Sequence, residues 1–218
     1  LPPGPPVKSE NRNPAIPAAA GAVVAVGDSA AVAASVVAVA ASVAVAPRGG
    51  GDMITRLVRH LIAEDWALRR AFPRAMLASL TAAIAEQEKR HTGELRFAVE
   101  GGLPPIELLK RRTSRGRAVE VFSQLRVWDT AANNGVLIYV LLADRAVEIV
   151  ADRGIHERVG EAAWEIICGE MRRRFRDGAF EAGALAGLQA VSDLLAVHFP
   201  ARPGPEDSNE LPNEPVLL

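Results

Sequence analysis

The stretch from Asn133 to Gly154 constrains the fold of this chain more than any other. It opens on a turn signal, Asn133-Asn134-Gly135, and continues as an unbroken apolar run from Val136 to Ala143. Asp144-Arg145 interrupts the run, and a shorter one follows from Val147 to Ala151. The first run is β-branched and aromatic, short, and bounded by turn residues, which predicts a central strand buried on both faces. The second alternates Val147, Ile149 and Ala151 against Glu148 and Val150, the pattern of a half-exposed strand. So short a break joins the two only as an antiparallel hairpin. The remaining elements must cover that hairpin.

With 218 residues, 49% of them hydrophobic, the chain can build one domain with a real core. Met53 to Arg70 places Ile54, Leu57, Val58, Leu61, Ile62 and Leu68 at helical spacing. That amphipathic leading helix (53–72) packs on the domain in cis or on a protein partner. Pro73 then stands at a first helical position, and Met76, Leu77, Leu80, Ala83, Ile84 and Glu88 trace a helix to about Arg90. Glu94 to Glu100 alternates as a strand, with Gly101-Gly102 and Pro104-Pro105 as its exit loop. Ile106 to Leu125 reads as one helix. Ile155 to Arg176 reads as another, with Gly160, Trp164, Ile167, Cys168, Met171 and Phe175 on one stripe and Asp177-Gly178 as its stop. A last helix, about Phe180 to Phe199, carries Gly183 and Gly187 four apart, leaving room for close helix packing. The order is helix-strand-helix-strand-strand-helix-helix. A helix separates the first two strands, so they should be parallel with a right-handed crossover. The class is α/β, a three-layer α/β/α sandwich with a small mixed sheet at 73–199. Pro200 to Leu218 is Pro-rich and acidic, and is expected to be a disordered tail.

Residues 1–52 are unlike the rest. Leu1 to Pro17 is Pro-rich, and Ala18 to Ala46 is almost wholly Ala, Val, Ser and Gly. Asp28 and the lack of Leu, Ile and Phe argue against a membrane span, and the apolar region is too long for a signal peptide. Met53 is the first Met, and Gly49-Gly50-Gly51-Asp52 is what a purine-rich ribosome-binding site would encode. The expectation is a translated leader ahead of a natural start at Met53. A cytoplasmic location follows, with the cell envelope, and a membrane contact, as the alternative if 18–46 is native.

Formal net charge is −1, so no global field favours nucleic acid or anionic membrane, and no nucleic-acid partner is expected. Lys110 to Arg117 is a basic run, but it is short and lacks interleaved aromatics, which favours a solvated helix face over a nucleic-acid patch. The single Cys168 excludes an internal disulfide and reads as a small core residue rather than a nucleophile. His60, His91, His156 and His198 show no zinc spacing, and no Walker loop, dinucleotide fingerprint or Gly-x-Ser-x-Gly is present.

The topology gathers one set of residues. The starts of two parallel strands share a sheet edge with the end of the third strand, so Glu94, Asp129, Asn133, Asn134, Asp152, Arg153 and His156 should lie near one another. Oxygen-rich clusters of this kind suit Mg²⁺ or Ca²⁺. In that reading Asp129, Asp152 and Glu94 supply carboxylates and Asn133 or Asn134 an amide oxygen. Arg153 orients a phosphate and His156 serves as acid or base. The alternative is plain turn chemistry for Asp129 and Asn133, helix capping by Asp152 and an ion pair for Arg153. The opposite edge offers Glu100 and Asp144-Arg145 beside Gly101-Gly102, where open α/β sheets often bind ligands.

Trp128, the Asn133-Asn134-Gly135-Val136-Leu137 turn and strand, Val147-Glu148-Ile149-Val150 closing on Gly154, and Phe175-Arg176-x-Gly178-x-Phe180-x-Ala182-Gly183-x-Leu185-x-Gly187 together resemble the TPM-domain family. The resemblance runs from about Pro73 to Phe199. That family includes thylakoid-lumen and photosystem-repair proteins and many bacterial envelope proteins. The resemblance implies an α/β/α sandwich and, for some members, weak acid phosphatase activity or divalent metal binding. Three places depart from the family pattern. Arg70 to Ala75 holds no acid where an Asp-containing motif is usual, Asn133-Asn134 replaces Asp-Asn, and Asp152-Arg153-Gly154 replaces a glycine-rich turn. Two classes of function remain, a non-catalytic binding or assembly module and a metal-dependent phosphate-ester hydrolase. The missing acids favour the first.

Overall fold

A computed structural model describes residues 51–62, 65–201 and 209–218. The readings of residues 1–52, leader and membrane segment alike, fall outside these residues except for Gly51 and Asp52, which begin the first helix. The order is α1 (Gly51–Ile62), α2 (Asp65–Ala71), α3 (Arg74–Gln87) continuing into a 3₁₀ turn (Glu88–Arg90), β1 (Glu94–Glu100), α4 (Pro105–Leu109), α5 (Ser114–Gln124), β2 (Gly135–Leu141), β3 (Ala146–Ala151), α6 (Arg153–Val159), α7 (Glu161–Arg176), α8 (Phe180–His198) and β4 (Val216–Leu217).

The strands form one sheet in the order β3-β2-β1-β4. β1 and β2 are parallel, from Glu94 beside Gly135 to Glu100 beside Leu141. β2 and β3 are the antiparallel hairpin that the Asp144-Arg145 break requires, with Arg145 in the left-handed region at φ 52°. β2 is buried along its whole length and β3 is half-exposed. Leu95, Phe97 and Val99 of β1 and Val136, Ile138 and Val140 of β2 face a first core, covered by α2, α3, α7 and α8. Ala98, Leu137, Tyr139 and Leu141 face a second core with Leu108 of α4 and Val121 and Phe122 of α5. Helices on both faces of a small mixed sheet make the expected α/β/α sandwich.

Within the first core Phe72, Phe97, Phe175 and Phe180 form a chain of ring contacts, the tightest 5.4 Å between the Phe175 and Phe180 centroids. Each such pair contributes about 0.5–1.5 kcal/mol beyond its buried area. Gly183 and Gly187 let α8 lie close against Phe175 and Met171 of α7. Cys168 is buried in the same core, as its position on an apolar stripe implies. Among the described residues α8 alone is long and apolar enough to cross a membrane, and it buries Ala184, Leu188, Val191 and Leu195 against the domain as a core helix does.

Four expectations need correction. The helix expected over Ile106 to Leu125 is two, because Arg111 turns left-handed at φ 54° and Thr113 starts α5, its Oγ1 accepting from Gly116 N at 3.0 Å. A good cap outweighs an apolar period that spans it. The helix expected over Ile155 to Arg176 is broken by Gly160, at φ 82° and ψ 152°, a conformation open essentially to glycine alone. The leading amphipathic stretch comes as α1 and α2, which serve opposite faces. Leu57 packs on the second core, while Leu68 belongs to the first. Lastly, residues 209–218 are not a disordered tail. Val216 and Leu217 pair with Ala98 and Val99, and Leu211 is buried. Proline-rich composition argues for disorder, but β1 had an open edge and this segment brings apolar side chains to it.

Candidate functional site

β1 and β2 run side by side, so the molecule has two sheet ends at which side chains could converge. At the start of the parallel strands everything turns on Gly135. A Cβ there would lie 1.9 Å from Val127 O, so only glycine lets the loop pass this close. The Asp152 carboxylate accepts from Gly135 N at 2.8 Å, while Asp152 N donates to Gly135 O at 2.9 Å. Asp152 precedes α6 and its carbonyl accepts from Ile155 N and His156 N, but its side chain makes no capping bond. Burial raises its carboxyl pKa, and the Gly135 bond offsets only part of that.

Asn134 is buried next to it. Its backbone N donates to Thr130 Oγ1 at 3.0 Å, its side-chain amide donates to Thr92 O, and its carbonyl accepts from Glu94 N. Glu94 is buried and accepts from Leu211 N at 3.3 Å. The structure therefore brings Glu94, Asn134 and Asp152 together around Gly135. The other four expected residues stand differently. Asn133 is exposed at φ 51°, and Asp129 is exposed with its carboxylate 3.9 Å from Arg126. Arg153 is exposed and His156 half-buried, both on the first turn of α6.

A divalent cation takes six or more oxygens turned toward one point, and Asn134 Oδ1 is one buried oxygen here with no hydrogen-bond partner among the described residues. One oxygen of Asp152 serves Gly135 and one of Glu94 serves Leu211. Among the described residues no three His, Cys, Asp or Glu side chains are grouped to hold a metal ion.

The sequence reading did not assign two neighbours to this end of the sheet. Glu88 Oε1 accepts from Leu95 N at 2.9 Å, and burial, aided by the charge of Glu94, lifts its carboxyl to about 7. Arg96 is buried and donates to Pro212 O and to Glu214 O. The available signal was the alternation of β1 itself. Glu94, Arg96 and Glu100 share the face of Ala98, a charged row along a strand buried throughout.

The opposite end holds a denser set. Arg117 forks onto the buried Glu100, Nε to Oε2 at 2.9 Å and Nη2 to Oε1 at 3.0 Å, and Tyr139 OH donates to Oε2 at 2.5 Å. Burial and the charge of Glu100 push the Tyr139 phenol well above its ordinary range. Asp144 accepts from Arg56 Nη2 at 2.7 Å and lies 2.9 Å from His60 Nε2. Burial works to raise the Asp144 carboxyl, but the bonds from His60 and Arg56 outweigh it and hold the group well below the usual carboxylate range. His60 Nδ1 accepts from Leu103 N at 2.7 Å, so the ring proton sits on Nε2 and points at Asp144. With both nitrogens engaged, this His-Asp pair has no free base to offer a substrate. Arg56, His60, Arg117 and Tyr139 were not singled out from sequence. Arg117 lay inside the basic run read as a solvated face. That run is largely tied into the fold, with Arg112 on Glu120 and Arg115 on Ile149 O. Cys168 is likewise out of play, its thiol pushed up to about 11 by burial.

Comparison with known proteins agrees with this architecture. A family model described as the TPM domain matches residues 70–194. No curated protein matches. Among solved structures, the NMR structure of the BA42 protein from the psychrophilic bacterium Bizionia argentinensis shares 29% identity and superposes with a TM-score of 0.57, covering 66% of this chain and 92% of that one.

Proposed function

The chain belongs to the TPM-domain family, and from that premise we propose that it is a non-catalytic binding or assembly module of a bacterial cell rather than a phosphate-ester hydrolase. One observation carries the reading. The carboxylates at both sheet ends, buried Glu94 and half-buried Asp152 at one and buried Glu100 and half-buried Asp144 at the other, are bonded to the fold's own amides and guanidinium groups. A hydrolase would need such groups turned toward a substrate or a metal.

The partner face in this proposal is the leading segment, 53–70. α1 is fixed in cis through Arg56 and His60, yet it turns Ile54 outward at 65% exposure, and α2 does the same with Trp66 at 54%. Aromatic and aliphatic anchors of that kind are what protein interfaces use. The hydrolase alternative would run on Asp129, Asp152, Arg153 and His156 with Mg²⁺ or Ca²⁺. Cytoplasmic residence accompanies the proposal, with the cell envelope as its alternative.

The test pairs 4-nitrophenyl phosphate hydrolysis with calorimetric titration of Mg²⁺ and Ca²⁺ into the full chain, from about pH 4 to 8. No turnover and flat heats are expected. Turnover that disappears with chelator and with Asp152→Ala would overturn the reading and install the hydrolase.

A further inference from the structure

α1, the β2–β3 turn and the link between α4 and α5 meet at one guanidinium. Arg56 Nη2 donates to Asp144 Oδ2 at 2.7 Å and to Arg112 O at 2.8 Å. The carboxylates around this junction are each matched by a cation. Asp144 takes Arg56, Glu100 takes Arg117, Glu107 takes Lys110 at 2.9 Å, and Glu120 takes Arg112 at 2.8 Å. Glu148, further along β3, accepts from Ser114 Oγ at 2.6 Å. Arginines on the same three segments are left over. Arg59 of α1 stops with Nη2 4.0 Å from Asp144 Oδ1, an oxygen already serving Arg56 Nε and His60 Nε2. Arg111 and Arg145 are exposed, and among the described residues neither side chain meets a carboxylate.

Two details separate this group from ordinary surface charge. Arg59 Nε is buried without a hydrogen-bond partner, and a desolvated donor of that kind costs stability until an acceptor is supplied. Arg111 and Arg145 hold left-handed turn positions, at φ 54° and 52°, where glycine would relieve strain, so the turns gain nothing from arginine. Apolar anchors lie beside the charge. α1 packs against α4, and the two helices leave Ile54, Ile106 and Leu109 largely exposed. Ile106 and Leu109 are three residues apart and share a face of α4, with Lys110 and Arg111 directly after them.

We propose that this patch binds an acidic segment of a partner protein, whose carboxylates pair with Arg59, Arg111 and Arg145 while its aliphatic or aromatic side chains cover Ile54, Ile106 and Leu109. The proposal rests on the reading of 53–70 as a partner face, and extends that face across α4 and both turns. Charge complementarity selects the occupant. The surplus consists of guanidinium groups, whose planar fork takes a carboxylate through two parallel bonds, and the surrounding acids are already engaged. A bilayer fits less well, because α1 turns Leu57 into the second core and so keeps separate anchors rather than the continuous apolar face that lies in a lipid surface.

The test selects a display library of random peptides, each about a dozen residues long, against the full chain and against the same chain carrying Arg59→Gln, Arg111→Gly and Arg145→Gly. On the unaltered chain the selected peptides should be rich in Asp and Glu interspersed with Leu, Ile, Phe or Trp. The leading peptide, fluorescently labelled, should lose about tenfold or more in affinity on the triple variant and should weaken with added salt. Glycine suits both left-handed turns, so this variant should melt no lower than the unaltered chain, which separates loss of binding from loss of fold. A second variant, Arg111→Glu with Arg145→Glu, should shift the selection toward Lys and Arg, and it decides the matter should the first fail to fold. Peptides without an acidic bias, or equal affinity for the unaltered and triple-variant chains, would overturn the proposal. So would charge-dependent binding to phosphatidylserine vesicles or to a single-stranded oligonucleotide with no acidic peptide selected. Failure here leaves the hydrolysis and titration results standing, whereas turnover in that assay overturns the module reading without touching the peptide selection.

Discussion

The two ends of β1 bury carboxylates in opposite ways. At its end, Glu100 and the neighbouring Asp144 each face guanidinium groups, and Asp144 is held well below the normal carboxylate range. At its start, Glu88, Glu94 and Asp152 accept from backbone amides, and burial raises both Glu88 and Asp152. Burial disfavours charge at both ends, so the difference lies in the partner. Asp144, held low by Arg56 and His60, stays charged at ordinary pH and clasps α1, while Arg117 on Glu100 clasps α5. Paired with an amide and pushed up by burial, Glu88 and Asp152 take a proton more readily, and their grip changes with pH. The clasped end is also where open α/β sheets commonly bind ligands. Here α1 runs over it so closely that a Cβ on Gly102 would lie 2.6 Å from His60 O.

The largest effect should come from unbalancing the clasp. Arg117→Met leaves Glu100 and the Tyr139 hydroxyl buried without their cation, and should cost about 3–5 kcal/mol in urea unfolding. Adding Glu100→Gln to that variant should recover part of the loss, because the stranded charge is gone. Full additivity of the two changes would mean that the pair is not coupled and that the clasp is misread. Asp144→Asn comes next, at about 2 kcal/mol, since it weakens charge-assisted bonds from Arg56 and His60. Its signature is local. Hydrogen exchange in α1 should accelerate while the amides of β2 stay protected. The sign of its pH dependence follows from the depressed pKa. The stabilisation is present above pH 3.8, its ordinary value, and is lost as pH falls toward the folded one, so acid should free α1 first.

The contrast between the ends also explains what the sequence could show. β2 and β3 were legible because a buried strand and a half-exposed one differ in periodicity, and Asp144-Arg145 could only be a hairpin turn. That Glu94, Asn134 and Asp152 lie at one sheet end was legible because parallel strands put their starts on one edge. What each group bonds to was not, because that depends on loops. Asp152 looked like a free ligand or a cap until Gly135 N claimed its carboxylate. Arg117 looked solvated because the pattern of a basic run does not say which of its members meets a buried acid. Residues 209–218 were misread for a related reason. Composition reports that a segment cannot build a core alone, and says nothing about an edge already built that it can join.

A smaller effect would sharpen the comparison from the amide-bonded side. Glu88 has a folded pKa of about 7 against an ordinary 4.5. For an acid whose pKa is raised on folding, the native state binds the extra proton, so its stabilisation is full below pH 4.5 and is lost as pH rises through about 7. The loss should be on the order of 1–2 kcal/mol once partial exposure is allowed for. Glu88→Gln should flatten this limb of the stability profile and leave the acid limb due to Asp144 intact. A limb unchanged in Glu88→Gln would place the titration elsewhere.

The smallest effect is expected at Asp129, and it tests whether the start of β1 is a site or a joint. Asp129 is exposed, and its ion pair with Arg126, at 3.9 Å and three residues away, is solvent-screened. As turn chemistry, Asp129→Asn should change stability by less than about 0.5 kcal/mol. Asp152→Asn should cost more, because a carboxylate accepts from Gly135 N more strongly than an amide oxygen does. As a cation site the two residues would behave alike, each replacement removing the same calorimetric heat of Mg²⁺ or Ca²⁺ binding while leaving the unliganded protein nearly as stable as before. Unequal losses of stability with no heat to lose would make Asp152 a joint between β2, β3 and α6, and Asp129 a residue of the loop that leads to it.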